Sequence, residues 1–340
     1  MATMKDIARA VGVSLTTVSN VVHGNYDRVS PQTVARILEA IEQMHYVPNM
    51  SARALVSHSS RIIAFLETHS PQETYAGNGF AGVLLSGLES VVTDHGYFLM
   101  MRRGTDEATL RLMLNNWNPD GVIFKDCVPQ SLVSFVQKQG KPCVAINTYL
   151  DDPQLIQVRA SDHEGGRIAT EHLLSLGHRD ILFVGAVHHG FSNNDQRYLG
   201  HCDALRAAGI EPRPGNLINS LHPFGAERGI ALGHQLAKQK HFTAICVSGD
   251  QYAVAIMAGL REGGVRVPED ISIIGFDDVD IARMCYPPLT TIRQDGIGKG
   301  KRAAEAIFSL IAGESPDPAD FTLPVELIVR GTTAPVRTTG

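Results

Sequence analysis

GVSLTTVSNVVHG, residues 12–24, sets a glycine, a serine, spaced valines and a row of small polar side chains within four helical turns of one another. Ser14 is a good N-cap, its hydroxyl placed to accept a backbone N–H from Thr16 or Thr17. Val18, Val21 and Val22 then share one helical face at i, i+3 and i+4, while Thr16, Thr17, Ser19 and Asn20 point elsewhere. Upstream, Lys5 to Ala10 reads as a first helix with Ile7, Ala8 and Val11 as its apolar face, and Gly12 suits a left-handed end. Two short helices joined by a glycine-containing turn form a helix-turn-helix. A third helix starts at Ser30 (N-cap) and Pro31 (first turn), and Val34, Ile37, Leu38 and Ile41 supply enough apolar surface to close a small core. Such a bundle with a polar face is compatible with any interaction module. The short first helix, the Gly12 turn and the polar row together match major-groove reading, in which the front of the second helix meets base edges.

After Pro48, Asn49 can cap a helix of about two turns, Met50 to Val56, too short to be stable in water without a partner. It reads either as a linker or as a hinge that orders on DNA and inserts Leu55 into the minor groove. Charge is uneven along the 340 residues, since residues 1–60 carry +1 against a total of −5. A weakly basic head on an acidic body permits a polyanion partner at one end. The five cysteines are scattered with no CxxC pair, which points to reduced, buried thiols rather than disulfides or zinc. MATMKDIARA lacks the apolar stretch of a signal peptide, and no apolar run reaches the length of a membrane span, so a cytoplasmic protein is expected.

From Arg61 the texture changes. RIIAFLE, YFLMMRR, DGVIFKD and PCVAINTY read as strands separated by helices around 80–95, 106–117 and 130–139. A second set follows: DILFVGA, TAICVSG and ISIIGFDD, with helices around 194–208, 226–239 and 250–262. Near-continuous apolar strands alternating with helices predict parallel sheets covered on both faces, in two doubly wound lobes, with ligand bound beyond the strands' carboxyl ends. GNGFAG (77–82) fits GxGxxG but stands well beyond the strand ending at Glu67, and no acid closes the next strand, which argues against a dinucleotide site. GIGKGKR (296–302) lacks Walker spacing and reads as a helix start; His188-His189 reads as a loop pair rather than a metal site. No catalytic, metal or cofactor constellation emerges.

MKDIARAVGVSLTTVSNVVHG, HYVPNMSARAL, GHRDILFVGA, RYLGHCDAL, SIIGFDD and PPLTTIRQD, in this order, resemble the signatures of the LacI/GalR family of bacterial transcription regulators. The resemblance spans essentially the whole chain. It implies an all-α helix-turn-helix headpiece followed by a two-lobed, periplasmic-binding-protein-like α/β core. It also implies a homodimer on near-palindromic operator double-stranded DNA, and a small-molecule effector between the lobes. Carried over by position, Leu15, Thr16 and Asn20 would read bases; Ser14, Thr17 and Ser19 would face phosphates; Leu55 would be the minor-groove wedge. Arg197, Asp250 and Asp277 would line the effector cleft with Phe224 as a stacking wall, and Tyr75 and Phe80 opposite. Asn147 falls near a place where some relatives carry an acid. Phe191, in the loop before Arg197, stands where nucleobase-binding relatives place basic groups, which favours a sugar-like effector, as does an Arg–Asp pair suited to vicinal hydroxyls.

The expected organisation is a headpiece at 1–48, a hinge and linker at 49–60 and a core at 61–340. The first lobe would comprise about 61–160 plus 293–320, and the second about 161–292 plus 321–340. TTAPVRTTG at the carboxyl end carries no apolar heptads, which favours a dimer over a tetramer. The competing readings are a sugar-binding protein without a role in gene control and a regulator governed by a partner protein.

Overall fold

A computed structural model describes residues 2–22, 24–46, 59–67, 79–104, 106–187, 192–219, 225–239, 241–314 and 320–337. Leu55, Tyr75, Phe191, Phe224 and the His188-His189 pair lie outside the described residues. The chain divides into two compact units, Met1–Ser60 and Arg61–Gly340.

In the first unit α1 (Met4–Val11) begins with a capping box: Thr3 accepts from the Asp6 amide, and the Asp6 side chain accepts from the Thr3 amide. Gly12 ends it at φ 74°, the left-handed conformation expected of that position. The Ser14 hydroxyl accepts from Thr17 N at 3.1 Å and caps α2 (Leu15–Val22). Ser30 and Pro31 open α3 (Pro31–Gln43) as their types demand. Ile7, Val11, Val18, Val21 and Ile37 form the core. Leu38, expected among them, is 44% exposed, while Val34, Ala40 and Ile41 pack against the core partly buried. Arg36 Nη2 donates to the Val11 carbonyl at 2.6 Å, tying α3 to the open end of α1.

The second unit holds two six-stranded sheets. The first lobe contains β1 (Ile62–Glu67), α4 (Gly79–Asp94), β2 (Phe98–Arg103), α5 (Glu107–Trp117), β3 (Gly121–Lys125), α6 (Gln130–Lys138), β4 (Cys143–Ile146) and β5 (Ile156–Ala160). The second contains α7 (Asp162–Ser175), β6 (Ile181–Gly185), α8 (Asn193–Ala207), β7 (Leu217–Asn219), α9 (Ala226–Leu236), β8 (Ala244–Val247), α10 (Asp250–Glu262), β9 (Ser272–Asp277), α11 (Asp280–Met284) and β10 (Thr290–Gln294). Then α12 (Gly296–Ile311) and β11 (Asp320–Leu323) return to the first lobe, and β12 (Val325–Ile328) to the second.

The first sheet, β11-β5-β4-β3-β1-β2, is parallel throughout; the second, β12-β10-β9-β8-β6-β7, is parallel except for β12 against β10. Alternate side chains enter opposite faces. Ile63, Phe65 and Ile123 pack under α4 and α12, whereas Ala64, Leu66, Val122 and Phe124 pack under α5 and α6.

Two expected exchange points shift. Hydrogen bonding in the second sheet carries β10 to Gln294, so the chain leaves that lobe after 294 rather than at 293. Pairing of β11 with β5 keeps 321–323 in the first lobe. The GIGKGKR segment does open a helix: Gly300 lets α12 cross α4 so closely that a Cβ there would stand 2.1 Å from the Leu84 carbonyl oxygen. No helix among the described residues is long and apolar enough to cross a membrane.

Candidate nucleic-acid interface and effector cleft

The front of α2 presents what the sequence placed there. Ser14, Leu15 and Thr16 are exposed, with Leu15 at 42%, while Thr17, Ser19 and Asn20 are half-buried. Val18 and Val21 pin the opposite face to the bundle. Ser14 Oγ is taken up by the Thr17 amide and hydroxyl, so its side chain orders the helix start. The helix thus offers an exposed amino-terminal turn, with its positive dipole end, flanked by small polar groups.

In the body, strand ends converge on the cleft between the lobes. From the first lobe come Glu67, Lys125 and Asp126, with Asn147 just past β4; from the second come Ser248, Asp277 and Gln294, with Asp162 on the first turn of α7 and Arg197 on the second turn of α8. Asp126, Asn147, Asp277 and Asp278 all have positive φ, between 56° and 118°. Such backbone strain outside glycine gathers where function requires a fixed side-chain direction.

Arg197 is 3% exposed. Its Nε donates to Asp162 Oδ1 at 2.9 Å and its Nη1 to the Ser248 carbonyl at 2.6 Å, and the guanidinium lies 3.5 Å from the Phe276 ring centroid. Nη1 is also 3.9 Å from Asp277 Oδ1, while Nη2, 2.9 Å from Asp162 Oδ1, is out of line for a hydrogen bond. The position of Arg197 is set by a backbone contact. A Cβ on Gly166 would meet the Arg197 carbonyl oxygen at 2.0 Å, and one on Gly200 would meet that of His163 at 1.9 Å. Only glycine allows α7 and α8 to approach so closely.

A buried hydrogen-bond chain joins the lobes. Lys125 Nζ donates to Glu67 at 2.9 Å and to Asp126; Asn147 Nδ2 donates to Asp126 at 3.0 Å. Lys299 Nζ donates to Asn147 Oδ1 at 2.8 Å and to Gln294 Oε1 at 2.7 Å, and Gln294 Nε2 donates to Asp277 Oδ1 at 2.5 Å. The Tyr149 hydroxyl donates to Asp162 at 2.8 Å. Burial works against the Lys125 ammonium, but the carboxylates of Asp126 and Glu67 hold it well above the usual lysine range. Burial raises Asp277 to about 6, against the pull of Arg197 and Gln294.

Of the expected cleft residues, Arg197, Asp277 and Asn147 belong to this network. Phe80 sits in the first-lobe core, packed with Val279 of the second lobe, and Lys299 Nζ stands 5.4 Å from its ring centroid. Asp250 is wholly buried, accepting from Thr291 Oγ1 at 2.5 Å and from Val279 N at 3.0 Å, so it clasps the loop after β9. Burial, reinforced by the charge of Asp277, pushes its carboxyl well above the carboxylate range.

A carboxyl raised on folding contributes stability at low pH that is lost as pH rises through its folded value. Asp250→Asn removes the charge and keeps both contacts, its Oδ1 accepting from Val279 N and its Nδ2 donating to Thr291 Oγ1, whose hydroxyl turns to accept. Its melting temperature is therefore expected to match the parent near pH 4 and to exceed it increasingly toward pH 7. A difference that does not change with pH would show that Asp250 is ionised throughout.

Glu67, Lys125, Asp126, Asp162, Gln294 and Lys299 escaped sequence reading. Positions just past strand carboxyl ends were the signal available for Lys125, Asp126 and Gln294; Lys299, inside a glycine-rich helix start, offered none.

Residues 3–49 match the family model of bacterial regulatory proteins of the lacI family, and residues 170–333 match a periplasmic binding protein-like domain. The HTH-type transcriptional repressor PurR of Photobacterium profundum is 30% identical over 338 residues, covering 97% of this chain and 98% of its own. The chain belongs to the LacI family. It is a DNA-binding transcription regulator under effector control. Among solved structures, a Lac repressor dimer bound to operator and the anti-inducer ONPF superposes with a TM-score of 0.83 at 25% identity, covering 98% of this chain and 99% of that one. A complex of the regulator CelR with cellobiose gives 0.72 at 27% identity, covering 98% and 100%. The LacI headpiece and the two-lobed core expected from the sequence are both present.

Proposed function

We propose that this LacI-family regulator acts in the cytoplasm as a homodimeric repressor, each headpiece reading half of a near-palindromic operator through Leu15, Thr16 and Asn20. Thr17 and Ser19 lie on the phosphate side, and Ser14 holds the helix start. The effector is a small polyhydroxylated molecule held in the cleft by Arg197, Asp277 and Asn147. The observation that carries this reading is the convergence of buried donors and acceptors at the carboxyl ends of both parallel sheets, where doubly wound folds take ligands. A relative solved with cellobiose supports a sugar-like occupant. Effector binding that favours one lobe arrangement over another changes operator affinity by the difference in its affinity for the two.

Asn20 has the donor and acceptor to pair with one adenine edge. Asn20→Ala is expected to lower the preference for operator over scrambled duplex by about 1–3 kcal/mol while leaving non-specific affinity unchanged. Fluorescence anisotropy on the two duplexes measures this, and an equal loss on both would remove Asn20 from base reading.

A further inference from the structure

Lys299 differs from the other buried cations of the cleft. Lys125 rests on the carboxylates of Glu67 and Asp126, and Arg197 rests on Asp162. Lys299 is 0% exposed, yet the groups that accept from its ammonium are two neutral amide oxygens, those of Asn147 and Gln294. An ammonium carries three protons, so one N–H has no acceptor among the described residues.

The carboxylates around it are engaged elsewhere. Asp162 accepts from Arg197 and Tyr149, Asp126 from Lys125 and Asn147, and Asp277 from Gln294. Burial pulls the Lys299 amine down to about 8, and the like charge of Arg197 adds to this against the attraction of Asp162, Asp277 and Asp126. At neutral pH the group still carries its proton. Asn147 and Gln294 therefore hold a charged ammonium that has no direct ion pair among the described residues. Arg197, across the cleft on α8, contributes a second buried cation whose Nη2 lacks an aligned acceptor.

We propose that the effector is an anion: a polyhydroxylated sugar bearing a carboxylate or phosphate that accepts from Lys299. This rests on the reading of the cleft as an effector site. The acidic group supplies an acceptor for the third N–H, which the two amides leave without one. Asn147 becomes a specificity determinant, because a carboxylate at that position would satisfy Lys299 internally and repel the ligand.

The test is titration calorimetry on the full-length protein with D-glucuronate, D-galacturonate, D-gluconate and glucose 6-phosphate beside neutral glucose and galactose. An acidic member is expected to bind about tenfold or more tightly than its neutral parent, the range of one charge-assisted hydrogen bond. Lys299→Met should remove that preference, and Asn147→Asp should do the same with the lysine retained, both with circular dichroism of the parent. Equal affinity for an acid and its neutral parent overturns the proposal, as does undiminished acid binding in Lys299→Met. Binding of neutral sugars alone sinks the anionic assignment and leaves the effector cleft standing. Silence from every member sinks both.

Discussion

Arg197→Ala is expected to destabilise the body by about 3–5 kcal/mol, because it strands a buried carboxylate rather than simply removing a contact. Asp162 accepts from Arg197 on one oxygen and from Tyr149 on the other, and it is 1% exposed. Without the guanidinium, the Ser248 carbonyl also loses its donor and the Phe276 ring its cation. The distinctive part lies in the second step. Asp162→Asn added to Arg197→Ala should recover much of the loss, since the amide needs no counter-charge. Urea midpoints of the parent, both single variants and the double variant measure the coupling. Operator affinity of the unliganded Arg197→Ala protein should stay near the parent's, because the headpiece is a compact unit separate from the body that holds Arg197, while the effector response disappears. A small stability change with no recovery in the double variant would overturn the account of a stranded buried charge. A persistent effector response with unchanged ligand affinity would remove Arg197 from the site.

What the sequence revealed follows from how locally each feature is determined. The caps of α2 and α3 depend on one side chain and the amide three residues on, and Ser14 and Ser30 both act as their types demand. The central strands are buried on both faces, so IIAFLE and GVIFK announce themselves as continuous apolar runs. Helix α7 did not. Its sequence DHEGGRIATEHLLS mixes charge with glycine because the face it buries is partly bare backbone against α8, which apolar periodicity does not register. Asp162, on that helix, was missed with it. Lys299 was missed for a different reason. A lysine in a glycine-rich segment reads as solvent-facing, and only the return of α12 to the first lobe puts it between Asn147 and Gln294. Position after a strand marks Asp250 as near the cleft, but its hydrogen bond with Thr291, forty-one residues away in the chain, is a tertiary contact that no local pattern announces.

A large functional loss is also expected from a residue that touches neither DNA nor effector. The headpiece core rests on Ile7, Val11, Val18, Val21 and Ile37, and Ile37 is the only fully buried side chain that α3 contributes among the described residues. Ile37→Ala removes packing from all three helices at once and is expected to cost about 2–5 kcal/mol. At roughly 0.05–0.15 kcal/mol per residue, a unit of 60 residues has about 3–9 kcal/mol in total, so this variant spends much of its time with the headpiece unfolded. Once Val18 and Val21 no longer seat α2, the exposed row from Ser14 to Asn20 loses the geometry that meets a groove. Operator binding should fall about tenfold or more in anisotropy titrations, on specific and scrambled duplex alike. Effector binding by calorimetry should stay at the parent's level, because the two-lobed core buries its own apolar clusters independently of the headpiece. Ile37→Val, which leaves most of the packing, should retain operator binding. If Ile37→Ala bound operator as tightly as the parent, recognition would not depend on how the three-helix core holds α2, and the role given to that helix's exposed front would fall with it.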